Sequence, residues 1–312
     1  MKNDFIKYLE NKNHSKNTQA AYLRQVNLFA VWYKNEVENC TKKDILKYLE
    51  YLQNKKGFEN VSRRNALIAL NHYFTFLLNN EVITSNPTAL LKIRGIKKTQ
   101  LYNTYTAEEL SNLYDDYYHN FIRNFDDSHI KNNTHRQNEL CRQRNYIMLG
   151  MLVYQGLHTN ELQRITVNDV DLNKATVKIK SGKKTAQRTL PLNASQIGSL
   201  INYINTIRPQ FQEHRPDTEQ LFITLPTVSK QESKNNQLTD TFKPLVKQLK
   251  TIDKNFESFK QVRASVITGW LKTEGLRKTQ YLAGHRYIST TEKYLPNNLE
   301  GLIDDIAKFN PF

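Results

Sequence analysis

Apolar positions at three- and four-residue spacing dominate the first third of the chain and predict helices. Ala21, Tyr22, Val26, Phe29, Ala30 and Trp32 form one stripe, opened by Asn17 and Thr18 at the N-cap position. Thr41 is placed to cap a second helix carrying Ile45, Tyr48, Leu49 and Leu52. Ser62 is placed to cap a third, with Ala66, Leu67, Ala69, Leu70, Tyr73, Phe74 and Leu77. Ser85-Asn86-Pro87 turns the chain into a short helix ending near Ile93. Four helices in about 90 residues predict a compact helical module. Residues 94–104 are polar, basic and aperiodic and read as a linker; Arg94, Lys97 and Lys98 within it either touch phosphate or face solvent.

The remainder is mixed. Residues 108–118 and the strongly apolar 145–155 read as helices, the second buried, with a polar, irregular surface excursion over 119–143 between them. Residues 176–180 and 188–192 alternate apolar and polar on either side of Ser181-Gly182, a hairpin pattern with a turn longer than two residues. Helical spacing returns at 194–207, 240–249, 259–272 and 277–283, and no internal repeat is visible.

Composition narrows the partner. The chain has 312 residues, room for about two domains, and its 38% hydrophobic content argues against wholesale disorder. Its 45 Lys and Arg against 30 Asp and Glu give a net charge of +15. Such a surplus favours a polyanion, since neutralising phosphates releases condensed counterions; nucleic acid is the first reading and an acidic membrane surface the rival. The most apolar run, 146–154, falls well short of the roughly 20 residues of a membrane span, and the N-terminus lacks a signal peptide's apolar core. Cys40 and Cys141 lie far apart, and neither Cys-x-x-Cys nor His-Glu-x-x-His occurs. These features predict a cytoplasmic protein without a tightly bound metal.

The stretch from Leu282 to Tyr294, with Gly284, His285 and Ser289-Thr290-Thr291, carries the clearest chemistry. A tyrosine hydroxyl titrates near 10 and attacks only when a positive group or a base assists it. Tyr294 follows His285 by nine residues, a spacing that lets a short helix present both to one phosphate.

The pattern Leu-x-Gly-His then Ser-Thr-Thr-x-x-Tyr closely resembles the C-terminal signature of the tyrosine recombinase family, in its short, Xer-like form. Lys260-Gln-Val-Arg263 is similar to the family's His-x-x-Arg pair, with Lys260 where histidine is usual and Gly275 and Gln280 at familiar points beyond. Ser181 to Leu192 resembles the strand-turn-strand whose lysine protonates the leaving 5′ oxygen; counting back from Pro191 selects Lys183, with Lys184 beside it. Gly156-Leu157-His158-Thr-Asn-Glu161-Leu162, followed by Asp169, is similar to the family's first motif, but His158 stands where that motif has an arginine. Histidine still donates a hydrogen bond but cannot make the bidentate fork, so three readings stay open: His158 substitutes directly, as a neutral donor or as imidazolium; Arg144 or Arg164 reaches in; or the enzyme is crippled. Glu161 is expected to buttress the site or cap its helix.

Upstream, Ser15 to Thr18, Tyr22, Phe29, Ser62-Arg63-Arg64 and Asn86-Pro87 resemble the family's helical core-binding domain. Thr18, Tyr22, Lys43, Arg63, Arg64, Arg94, Lys97, Lys98 and Lys184 are candidate DNA contacts.

The resemblance implies a mostly α fold: a helical SAM-like core-binding domain over 1–94, a linker over 95–104, and a mixed α+β catalytic domain with a small antiparallel sheet over 105–312. It implies attack by Tyr294 through a 3′-phosphotyrosyl link, with Arg263, His285, Lys183, Lys260 and His158 around the phosphate. It implies no cofactor, duplex DNA as partner, a clamp-like grip on it, and four subunits for strand exchange. The tail 299–309 has near-helical apolar spacing and either docks on a neighbouring subunit or on its own domain. The alternatives are a catalytically impaired DNA-binding relative and a type IB topoisomerase-like enzyme.

Overall fold

Short-range signals set most element boundaries in the computed structural model, which describes residues 2–96, 102–124, 132–183, 185–225 and 237–297. Lys97, Lys98, Lys184 and the tail from Leu299 lie outside the described residues. The chain divides into two compact units, Met1–Gln100 and Leu101–Phe312. No helix among the described residues is long and apolar enough to cross a membrane.

The first unit is helical: α1 (Lys2–Asn11), α2 (Lys16–Tyr33), α3 (Lys42–Asn54) and α4 (Asn60–Asn79). Thr41 caps α3 as its sequence predicts, in a reciprocal box with Asp44. Three local expectations change. The cap of α2 is Ser15, whose hydroxyl accepts the Thr18 N–H, so Asn17 and Thr18 lie inside the first turn. Helix α4 opens at Glu59 without a side-chain cap, ahead of Ser62. The segment after Pro87 is a turn, because the Asn86 side-chain oxygen takes the Thr88 N–H and O–H and closes the backbone locally. Helix α1 adds Phe5 and Leu9 to a core that includes Phe29, Tyr48, Leu70 and Phe74.

The second unit opens with α5 (Ala107–Tyr118), whose Thr106 and Glu109 form another capping box. Next come a π-helical turn, His119–Arg123, and α6 (Asn132–Tyr154). The polar excursion expected over 119–143 is thus partly regular: helix α6 reaches back to Asn132, and its polar first half carries no hydrophobic stripe to announce it. Its second half supplies Ile147, Met148, Leu149, Met151 and Leu152 to the core. Then follow α7 (Thr159–Leu162), β1 (Val170–Asp171), β2 (Thr176–Ile179) and β3 (Arg188–Pro191). The strands form one antiparallel sheet in that order, with Val177 opposite Leu190 and Ile179 opposite Arg188. The expected hairpin is present, and β1 is an addition too short to show alternation.

Helices α8 (Ala194–Asn202), α9 (Arg208–Gln212), α10 (Thr239–Ile252), α11 (Phe259–Ala283) and α12 (Ile288–Glu292) complete the unit. The break between 272 and 277 expected from the sequence falls within α11 at Gly275, whose φ of 74° and ψ of 171° interrupt the helix. Glycine is required there because side-chain-bearing residues rarely adopt that region. Gly284, at φ 69°, ends α11 in the left-handed conformation and hands the chain to His285.

Candidate active site

Three segments converge beneath Tyr294: the start of α7, the first residue of β3, and the two ends of α11. At their base is the Glu161 carboxylate, 2% exposed. Arg188 Nη1 donates to its Oε1 at 2.8 Å and Nη2 to its Oε2 at 3.1 Å, a fork against a carboxylate. The His158 N–H donates to Oε2 at 2.9 Å, and Arg263 Nη1 stands 3.5 Å from the same oxygen. Burial alone would raise the Glu161 pKa, but the Arg188 hydrogen bonds and charge, with Arg263, hold it below the usual carboxylate value. Glu161 therefore stays ionised and both closes the α7 cap and acts as a buried counterion, as its position in the motif led one to expect.

Arg263 sits on the first turns of α11 and is 8% exposed. Its Nη1 donates to the Gly156 carbonyl and its Nη2 to the Ala283 carbonyl at 2.8 Å, so the guanidinium joins the loop before α7 to the end of α11. Gly156 is held close because a Cβ there would press on Val266 and Trp270 of the same helix.

His285 meets Arg263 Nη2 through Nε2 at a long 3.5 Å and Thr291 Oγ1 through Nδ1 at 3.0 Å. A guanidinium only donates, so Nε2 is the acceptor and the ring proton is assigned to Nδ1, directed at Thr291. Burial first, then the charges of Arg263 and Arg188, push the His285 pKa down to about 4. The imidazole is neutral at physiological pH. Tyr294 lies in the turn after α12, its ring stacked on His285 at 5.8 Å between centroids, and its N–H donates to the Thr291 carbonyl at 3.0 Å. Thr291, fully buried, thus fixes both the histidine ring and the tyrosine backbone.

His158 is the N-cap of α7, and its Nδ1 accepts the Asn160 N–H at 3.1 Å. A nitrogen that accepts a backbone N–H carries no proton, so the ring is neutral with hydrogen on Nε2. Desolvation first, then Arg263, push its pKa below the usual value, Lys260 and Arg164 adding to the effect and Glu161 opposing it. Of the two forms in which His158 could substitute, the cap geometry, burial and the surrounding cations favour the neutral donor over the imidazolium.

The two arginines offered as replacements are committed elsewhere. Arg144 is buried, donating to the Ile223 carbonyl and Asn145 Oδ1 over the Phe211 ring. Arg164 donates to the Ser181 carbonyl at 2.8 Å and to Asn160, supporting the hairpin turn from below. Arg286 Nη2 binds the Gly182 carbonyl at 3.0 Å on the same turn. The turn thus presents Lys183, exposed, from a braced loop. Lys260 is exposed one turn before Arg263.

Sequence reasoning did not single out Arg188 or Arg286, and gave Thr291 no role of its own within its motif. A signal for Arg188 exists: in Arg188-Thr-Leu190-Pro-Leu192 the arginine shares the inward phase with two leucines. A strand arginine in that phase needs a buried carboxylate.

In the first unit, Lys43, Arg64 and Arg94 are exposed. Thr18 is partly buried with its hydroxyl against Ser15, and Tyr22 stacks on His72 at 5.2 Å. The Arg63 guanidinium donates to the Leu49 carbonyl and Asn60 Oδ1, bracing α3 against α4.

Two family models match the chain: one described as "Phage integrase family" over residues 122–300 and one as "Phage integrase, N-terminal SAM-like domain" over 1–84. Among curated proteins it is 24% identical to "TnP I resolvase" of Bacillus thuringiensis, covering 95% of each chain. It is 25% identical to a "Tyrosine recombinase XerC" of Anoxybacillus flavithermus, covering 94% of this chain and 91% of that one. Among solved structures it is similar to XerH site-specific recombinase bound to a palindromic difH substrate, with a TM-score of 0.69 and 17% identity over 96% of this chain and 82% of that one. It is also similar to a lambda integrase dimer bound to a core site, with a TM-score of 0.65 and 14% identity over 95% and 94%. At these identities the structural likeness establishes the fold.

Proposed function

From the premise that this chain belongs to the phage integrase family of tyrosine recombinases, we propose that it breaks and rejoins DNA at specific sites, with Tyr294 as nucleophile. The observation that carries the assignment of residues is the convergence of Arg263, His285 and Tyr294, brought from 22 and 9 residues away in sequence onto one point.

The chemical demand is to stabilise negative charge on the non-bridging oxygens of a pentavalent phosphate. Arg263 supplies a desolvated, permanently cationic fork. Neutral His285, with Nε2 toward the Arg263 guanidinium and Nδ1–H on Thr291, supports the guanidinium and packs its ring against that of Tyr294. Lys260 adds a second cation, and neutral His158 contributes an Nε2–H donor without charge. Lys183, on its braced turn, gives a proton to the departing 5′ oxygen. Tyr294 gives up its phenolic proton to solvent as its oxygen bonds to phosphorus in the 3′-phosphotyrosyl link, and the 5′ oxygen leaves with the Lys183 proton; a 5′ hydroxyl of the partner strand then attacks that phosphorus, returning its proton to Lys183, and the Tyr294 oxygen leaves and is reprotonated from solvent. One phosphoester bond is exchanged for another at each step, so no nucleotide cofactor is consumed. Exchange between two duplexes calls for four copies of the chain on DNA.

His158 favours a second reading, a DNA-binding relative with weakened cleavage. One experiment addresses both. Nicked suicide duplexes tiled across the DNA flanking the gene are incubated with wild type and Tyr294→Phe. The expected result is a denaturant-resistant protein–DNA band with wild type alone. Tight binding without a band supports the weakened relative, and an equal band with Tyr294→Phe removes Tyr294 from the role.

A further inference from the structure

Arg188 was given no role in the strand-turn-strand motif that contains it, yet its guanidinium is the most completely enclosed cation of the site, with a side-chain exposure of 0%. Burying a guanidinium is costly unless its donors and charge are matched. Here Nε donates to the Leu282 carbonyl at 2.7 Å, and Nη1 and Nη2 grip Glu161. Gly284 closes over it: a Cβ at 284 would land on the guanidinium. The strand beside it is tied to the same turn, with the Ala186 N–H on the Gly284 carbonyl at 2.9 Å and Thr185 bridging His285.

We infer that Arg188 is a positioning residue of the strand-cleaving site, holding the Glu161 carboxylate and the Leu282-to-His285 turn so that Arg263 and His285 keep their aim on one phosphate. The inference rests on the reading of that site given above.

Two links carry it. The first is competition for charge. Glu161 is 3.5 Å from Arg263 Nη1 but 2.8 and 3.1 Å from Arg188. With Arg188 present, Arg263 is only a secondary partner of the carboxylate, and its guanidinium is kept on the Gly156 and Ala283 carbonyls. Without Arg188, Arg263 becomes the nearest cation to a buried carboxylate and is drawn into a full ion pair, away from substrate. The second link is mechanical. Leu282, Ala283, Gly284 and His285 are consecutive, so the Arg188 contact to Leu282 sets the path of the residue that binds Arg263 and of the histidine that stacks on Tyr294.

The test uses the full chain with Arg188→Met, Arg188→Lys, Glu161→Gln and the Arg188→Met/Glu161→Gln double variant. On the duplex that wild type cleaves, Arg188→Met is expected to lower the single-turnover adduct rate by about 10–100-fold, the scale of lost supporting contacts, with DNA affinity within about twofold. The double variant is expected to lose no more than Arg188→Met, because removing the Glu161 charge removes the competitor. Additive losses overturn the proposal. A second readout needs no DNA. In ¹⁵N-histidine spectra of wild type, His285 is expected to show the neutral Nδ1–H tautomer; Arg188→Met is expected to shift both ring nitrogens, and the double variant to return them part of the way. Unshifted His285 signals in folded Arg188→Met overturn the proposal. Should Arg188→Met not fold, Arg188→Lys, a single-point donor, carries the same comparison with a smaller shift. If wild type gives no adduct on any duplex but the His285 signals move as stated, the positional link stands and the strand-cleavage reading falls.

Discussion

The imidazole of His285 lies nearly parallel to the ring of Tyr294, the planes inclined by 14°. The pair is held from below by Thr291, which binds the histidine Nδ1 and the tyrosine N–H. Thr291→Val keeps the volume and removes the hydroxyl. The expected outcome is a loss of about 1–2 kcal/mol in stability and about a tenfold slower adduct rate, read by urea unfolding and by suicide-substrate kinetics. An unchanged adduct rate would show that the ring's orientation does not depend on Thr291.

Acid sensitivity follows from His285. Its folded-state pKa is depressed to about 4 from 6.5, so between those values the unfolded chain binds more protons than the folded one. Stability is therefore in full above about 6.5 and is lost as pH falls toward 4, amounting to about 3 kcal/mol for this group. Unfolding free energies of wild type and His285→Gln at several pH values across that window should show the flatter dependence in the variant. Parallel curves would mean that His285 is not held neutral.

Two glycines, one inside α11 and one at its C-cap, are expected to respond in opposite directions. Gly284→Ala forces a side chain into φ 69° and onto Arg188, and should cost about 2 kcal/mol or more. At Gly269, where a Cβ meets nothing within 4 Å, alanine should stabilise the helix by up to about 1 kcal/mol. Thermal unfolding of the two variants measures both.

His158→Ala removes a neutral donor, and if that donor faces the phosphate the adduct rate should drop on the order of 10²-fold. His158→Gln keeps a side-chain N–H and should fall less. His158→Arg should match or exceed wild type, since it restores a cationic fork at the cost of about 1 kcal/mol in helix capping. Wild-type rates in His158→Ala would place His158 outside the reaction and leave it a helix cap.

The first unit separates contact from structure. Lys43 and Arg64 are exposed, so alanine at either should reduce the salt dependence of DNA binding, each by about one unit of slope if it neutralises one phosphate. Arg63 bonds to Leu49 and Asn60 instead. Arg63→Ala should lower stability by about 1 kcal/mol and leave the slope alone. The reverse pattern, seen in filter binding at graded salt and in unfolding, would reassign Arg63 to the DNA.

Much of this protein was determined by its sequence read locally. Periodicity placed α3, α5 and the core of α6, and alternation placed the hairpin; both depend on which face each residue presents to a core. The Gly275 break and the Gly284 stop follow from backbone freedom that glycine alone has. The resemblance carried by His285, Tyr294 and the upstream Arg263 pointed to the candidate site, which one short helix and one kinked helix bring together. The polar first half of α6 carries no stripe, α1 has one in Phe5, Tyr8 and Leu9 but spans only ten residues, and the Asn86 side chain replaced a helix by a turn. Only the tertiary structure decided the charge state of the site. Burial, then Arg263, disfavours charge on His158, and burial, then Arg263 and Arg188, does so on His285. Arg188 meets Glu161 across 27 residues of sequence. That pairing arises from packing among three segments, and spacing along the chain does not encode which buried charges end up face to face.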